Sequence, residues 1–155
     1  MAEEWDVRQL TADGFDRVYV ELDWYDGLAA GLVDIIGVPH YFQRHDVDFS
    51  VAPENYFVWP ADAASVALER EQWAIFVDWH NRFEQGTASG AQHPGIGGVD
   101  ARYDELTALL SSRRHAPSDA KLLRAEWRLD DGARYRVDGL DVWVRWHEPT
   151  AQPGT

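Results

Sequence analysis

The strongest constraint on this chain lies in its last third, where two Asp-Gly pairs separate three runs of alternating character. Leu123, Ala125, Trp127 and Leu129 alternate with Arg124, Glu126 and Arg128. Ala133, Tyr135 and Val137 alternate with Arg134 and Arg136, and Val142, Val144 and Trp146 follow the second turn. A period of two puts successive side chains on opposite faces of a strand. Asp-Gly suits a tight hairpin turn, whose central residues need positive φ. The pattern predicts three antiparallel strands over residues 121–147, turning at Asp131-Gly132 and Asp138-Gly139.

A second strand-rich region opens the chain. Between Arg17 and Trp24, Val18, Val20, Leu22 and Trp24 share one side, with Tyr19, Glu21 and Asp23 on the other. Asp26-Gly27 and Gly37 mark turns, so strands are expected near 17–24, 28–35 and 38–44, followed by a short aromatic one at Tyr56–Trp59. From Asp62, a helix N-cap by type, the pattern becomes helical and runs to Gln85, stopping at Gly86. Leu68, Trp73, Ile75, Phe76, Val77, Trp79 and Phe83 span an arc wider than a surface stripe, which predicts a largely buried helix with Trp73, Phe76 and Phe83 in the core. A Gly- and Ser-rich loop over 87–98 precedes a shorter helix capped by Asp100, with Tyr103, Leu106, Leu109 and Leu110 turned inward. Arg113, Arg114 and His115 near its end suit the helix dipole. Strands at both ends around central helices read as α+β: an antiparallel sheet from N-terminal and C-terminal meanders, packed on a long helix and a shorter second one. The length suits a single domain over 1–155, with 1–12 and 149–155 expected to fray.

Composition narrows the function classes. The chain has no Cys, which removes disulfides, thiol catalysis and Cys-ligated zinc. The net charge of −13 argues against a nucleic-acid partner, which needs clustered Lys and Arg. Residues 1–100 hold 18 acids against 5 bases and therefore carry all of that charge. An acidic surface of this kind suits a basic protein partner. Eight Trp, six Tyr and six Phe supply large buried areas or interface anchors. Neither a signal peptide nor an apolar run long enough for a membrane span is visible, so a cytoplasmic protein without membrane association is expected. Lys121 is the single lysine among 14 basic residues, a bias that points to a high-GC bacterial genome.

Several groups could carry chemistry. Glu21, Asp23, Asp26, Asp34, His40, His45, Asp46 and Asp48 lie close in sequence. However, His40 and His45 fall on opposite faces of a regular strand, and neither a metal nor another cofactor is expected. Glu69 and His80 interrupt the apolar arc of the long helix and are the candidate catalytic residues. They are separated by about 16 Å along the helix axis, so they are not a direct acid–base pair. Trp24 and Tyr25 at a turn, with Asp23, Asp26, His40 and Asp46, are the candidate binding residues. No serine stands in a Gly-x-Ser-x-Gly elbow.

Tyr25-Asp26-Gly27, Gly31, Gly37 and Pro39-His40, followed by Glu71, Trp73, Ile75, Trp79, Phe83, Gly86 and His93-Pro94, resemble small uncharacterised bacterial proteins of unknown function over about residues 25–94. The resemblance implies a bacterial domain and brings no catalytic residue. Three functional readings follow from the residues. The first is a non-catalytic acidic protein-interaction module, similar to immunity proteins that capture a basic partner. The second is a small-molecule-binding protein or small hydrolase with its site between sheet and long helix. The third is a structural subunit; monomer and homodimer both stay open.

Overall fold

The computed structural model describes residues 7–24, 28–45, 55–129 and 135–149. The fold is α+β. Three helices, α1 (Val7–Ala12), α2 (Ala63–Glu84) and α3 (Ala101–Leu110), accompany nine strands. The strands are β1 (Asp16–Arg17), β2 (Val20–Trp24), β3 (Leu28–Ile35), β4 (Val38–Arg44), β5 (Asn55–Pro60), β6 (Lys121–Leu129), β7 (Tyr135–Arg136), β8 (Gly139–Leu140) and β9 (Val142–His147). Seven of them form one antiparallel sheet in the order β1-β9-β6-β5-β4-β3-β2.

That order places β1 and β2 at opposite edges, although only Val18 and Tyr19 separate them in the chain. The segment serves both edges in turn. Val18 N–H donates to Val142 O at 2.9 Å, and Tyr19 N–H donates to Leu32 O at 3.1 Å. The sheet therefore curls back on itself, as an incomplete barrel. Ring contacts measure the curl independently. Phe42 on β4 and Trp146 on β9 are three strands apart, about 14 Å along a flat sheet. Their ring centroids lie 5.9 Å apart across the interior. Tyr56 and Trp127 complete that inner aromatic cluster, 5.5 Å from each other.

Burial at the switch point departs from simple alternation. Tyr19, expected on the solvent side with Glu21 and Asp23, is buried. Its hydroxyl donates to Asp34 at 3.1 Å and the Arg70 guanidinium covers its ring. A segment passing between two neighbouring strands is enclosed on both faces, and so it loses the one-sided pattern of an edge. Gly139 makes the close passage possible: a Cβ there would stand 2.6 Å from Val18 O, and its φ of 137° is one that L side chains rarely adopt.

The C-terminal expectation needs a correction. The strand over 121–129 is present, but β6 pairs directly with β9, Trp127 opposite Val144. The middle run leaves the sheet: β7 and β8 form a separate two-stranded ribbon around the turn before Gly139. Trp73 on α2 pins this ribbon, its indole N–H donating to Arg136 O at 2.7 Å. Asp131-Gly132 lies outside the described residues.

Helix α2 starts and stops where its chemistry dictates. Asp62 caps it by accepting from Ser65 N–H at 2.7 Å, and Gly86 follows its end at φ 78°. Asp100 caps α3 through Tyr103 N–H at 2.9 Å. Leu106 and Leu110 are buried there, whereas Leu109 is exposed, being out of phase with them on the helix. Phe76 is half-buried, and Phe83 is 44% exposed in place of the core position expected for it, because the last turn of α2 runs beyond the sheet. Of the N-terminal residues expected to fray, Val7–Ala12 form α1, with Leu10 buried against Phe15 and Trp143. Among the described residues, no helix is long and apolar enough to cross a membrane.

Candidate functional site

Two hollows hold the residues singled out by type. The first is a cleft of about 240 Å³ between β2 and helices α2 and α3. Its floor is built from the polar half of the buried face of α2, where Ser65, Glu69 and Gln72 recur at helical spacing. Chain continuing past α3 as a 3₁₀ turn, Ser111–Arg114, delivers two arginines to this stripe. Arg113 donates to Ser65 Oγ at 2.8 Å. Arg114 grips Glu69 with both Nε and Nη2, the former at 2.9 Å, and its Nη2 also reaches Gln72 Oε1. Tyr41 donates to Glu69 Oε2 at 2.9 Å from the sheet side. Burial and the Glu69 carboxylate push the Tyr41 phenol well above its usual range.

Glu69 is 1% exposed and both of its oxygens are engaged. A carboxylate so occupied has no lone pair directed to a substrate. Its geometry is that of a buried clamp joining sheet, α2 and the 3₁₀ turn. His80, the other catalytic candidate, is not in the cleft. Its ring packs edge-on to Tyr135 at 4.7 Å and its Nε2 lies 3.5 Å from Glu84. The two stand apart, as their spacing requires. Asp23 and Trp24 line the cleft rim, where β2 is bulged, and Trp24 is 41% exposed. Tyr25, Asp26 and Asp46 lie outside the described residues.

The second hollow, about 700 Å³, opens at one end of the curled sheet. Strand directions bring five elements to this mouth: the β3–β4 hairpin, the end of β5, the start of β6, the end of β9 and the approach to β1. Ile35, Val38, Val58, Leu123 and Trp146 form its apolar lining. Asp16, His40, Lys121, Arg145, His147 and Glu148 form its polar part. His40 Nδ1 is 2.7 Å from Val38 O; a carbonyl only accepts, so Nδ1 carries the proton and Nε2 keeps its lone pair. Burial, and then the charge of Asp34, raise the Asp16 carboxyl above its usual range. Arg145 is already engaged on the outer face, where Glu126 receives it at 2.8 Å together with Arg128 and His147. The indole Nε1 of Trp146 is buried and has no hydrogen-bond partner among the described residues.

A third hollow, under the loop between α2 and α3, is bordered by Glu71, Asp78, Arg82 and Asp100. Its charged groups pair locally, Arg82 with Asp78 and Arg102 with Glu71.

Of the candidate residues, Asp23, Trp24 and Glu69 meet at the cleft, while His40 belongs to the mouth. The acids and imidazoles of the first meander do not gather: Asp34 serves Tyr19, and Glu21 and Asp23 border the cleft. Among the described residues no three His, Asp or Glu side chains stand together as metal ligands. Arg114, Gln72, Lys121 and Trp146 were not singled out as site residues. For the first two a signal existed, since Ser65, Glu69 and Gln72 recur at i, i+4, i+7 opposite an Arg-Arg pair. Comparison of the chain with protein-family models, curated proteins and solved structures finds no match. Residue roles therefore rest on geometry.

Proposed function

We propose that the protein binds a small, largely apolar molecule in the open end of its curled sheet. The observation that carries this reading is the mouth cavity itself. Its size falls in the range of roughly 300–1,000 Å³ typical of ligand sites, and its lining is apolar with a few polar groups. The cleft beside α2 is smaller, and its buried polar groups satisfy one another. Among the described lining residues of the mouth there is no serine, threonine or cysteine to act as nucleophile, so binding is favoured over hydrolysis. In this reading the protein works in the cytosol, as a monomer or homodimer, without a bound metal or cofactor.

The test is displacement of an apolar fluorescent probe, with Leu123→Trp to fill the cavity. Leu123 is half-buried at the mouth, so the larger ring displaces ligand volume without entering the aromatic cluster. Probe binding that is saturable in the wild type and lost in the folded variant supports the reading. Probe binding unaffected by Leu123→Trp refutes it.

A second reading, capture of a basic protein partner, is favoured by one observation: Trp24 and Asp23 are exposed side by side on β2. Steering by the acidic N-terminal two-thirds would make association fall as salt rises, and Trp24→Ala would speed dissociation. A pull-down with a basic partner that is insensitive to both would remove it.

A further inference from the structure

Resting on the mouth as the binding site, we infer that its ligand is a neutral, predominantly apolar molecule with one carbonyl-type acceptor, received by Trp146 Nε1–H and covered by Ile36. Three observations converge on this chemistry. The first is the unpaired indole. Buried donors are almost always satisfied, because leaving one without an acceptor forfeits its hydration. Trp146 Nε1 is buried in the wall of a cavity large enough to hold a ligand, and no protein acceptor among the described residues reaches it. An indole N–H is a single neutral donor, matched by a single neutral acceptor such as a ketone, aldehyde or ester oxygen.

The second is the charge balance of the rim. Lys121 and Arg145 are offset by Asp16 and Glu148, and Arg145 is already held by Glu126. His40 and His147 complete the titratable groups lining the mouth, and His147 also lies 2.8 Å from Glu126. A mouth with no charge surplus does not select an ion. This distinguishes it from the rest of an acidic chain.

The third is the hairpin tip beside it. Ile36 has φ 51°, Gly37 has φ 73°, and Ile36 is 94% exposed while bordering the mouth. A turn with positive φ at both central residues is the tight hairpin type for which Asn-Gly is preferred. A β-branched residue there is a conformational outlier. Such strain persists where it serves a site, and Ile36 places apolar surface over the entrance where Asn would suit the backbone better.

The experiment titrates three ligands of equal chain length, a ketone, the matching alkane and the matching carboxylate, by displacement of the fluorescent probe. The ketone is expected to bind about tenfold more tightly than the alkane, the increment of one hydrogen bond to an otherwise unpaired donor, and more tightly than the carboxylate. Trp146→Phe should abolish the ketone's advantage and leave alkane affinity unchanged. The indole N–H resonance of Trp146 in the wild-type protein should move downfield with ketone and not with alkane, a readout that stands even if the variant fails to fold. Ile36→Asn should raise the melting temperature yet weaken every ligand several-fold. Equal affinity for ketone and alkane, or tighter binding of the carboxylate, overturns the inference while leaving the mouth as an apolar site. Ile36→Asn without effect on affinity overturns the covering role. Absence of binding by all three, with the probe itself insensitive to Leu123→Trp, removes the underlying reading as well.

Discussion

Replacing Glu69 with Gln is predicted to destabilise the fold by about 3 kcal/mol. Breaking a buried ion pair by removing one partner costs about 3–5 kcal/mol, since the other charge stays buried without compensation. Here the stranded partner is Arg114, 23% exposed, so water recovers part of its solvation and the lower end applies. The isosteric amide keeps one acceptor for Tyr41 but turns N–H groups toward the guanidinium, donor against donor. At a urea dependence of about 2 kcal/mol per molar, the unfolding midpoint falls by about 1.5 M. Glu69→Leu combined with Arg114→Leu removes both charges, and its cost should be smaller than the sum of the two single losses by about 2 kcal/mol. Equilibrium urea melts of the four proteins close the cycle. An additive cycle, or a loss below about 1 kcal/mol for Glu69→Gln, would show that Glu69 is not the clamp described above.

Two aromatic positions on α2 should separate cleanly. Trp73, 4% exposed and bonded to Arg136 O, should lose about 3–5 kcal/mol on change to Ala, while Phe83, stacked on Trp79 at the surface, should lose about 1 kcal/mol or less in the same urea melt. Comparable losses would contradict their placement. Hydrogen bonds from His147, then Arg145, hold the Glu126 carboxyl down at about 2. A depressed folded-state value contributes stability that is complete above the ordinary carboxyl range and is lost as pH falls from there toward 2. Because the network faces solvent, its contribution is about 1 kcal/mol. Glu126→Gln should flatten that part of an acid-denaturation curve, and an unchanged slope between pH 4.5 and 2 would count against the network.

Much of the fold was legible because local chemistry and tertiary packing agree. Asp62, Gly86 and Asp100 are caps by type and caps in fact, since each satisfies end groups that the helix leaves open. Alternation located β3, β4, β6 and β9 for the same reason. What stayed hidden depends on long-range pairing. The split of residues 16–24 between two strands requires β9 to be in place, and no pattern within the segment records it. The exit of β7 from the sheet depends on the reach of Trp73 from α2, some 60 residues earlier in the chain. At the sites, Glu69 stood out as a carboxylate in an apolar arc, but its partner Arg114 comes from a turn that read as dipole compensation. His40 was legible as a polar residue on a strand. Trp146 was not, because a missing acceptor is a property of the assembled wall and leaves no mark in residue type.

The split strand also dictates when this architecture can exist during folding. β1 closes the sheet on β9, pairing Asp16 with Val144, so closure waits until almost the entire described chain is available. Before that, β2 to β5 are restricted to contacts near in sequence, and the inner aromatic rings of β4 and β5 lack their partners on β6 and β9. Topologies that defer closure to distant contacts fold slowly and leave unpaired edges exposed in the interval. Once Val18 and Tyr19 are seated, both edges disappear in one step, and the sheet offers no template for pairing with a second chain. Peeling this one short segment away would reopen two edges at once, so resistance to self-association hinges on nine residues near the start of the chain.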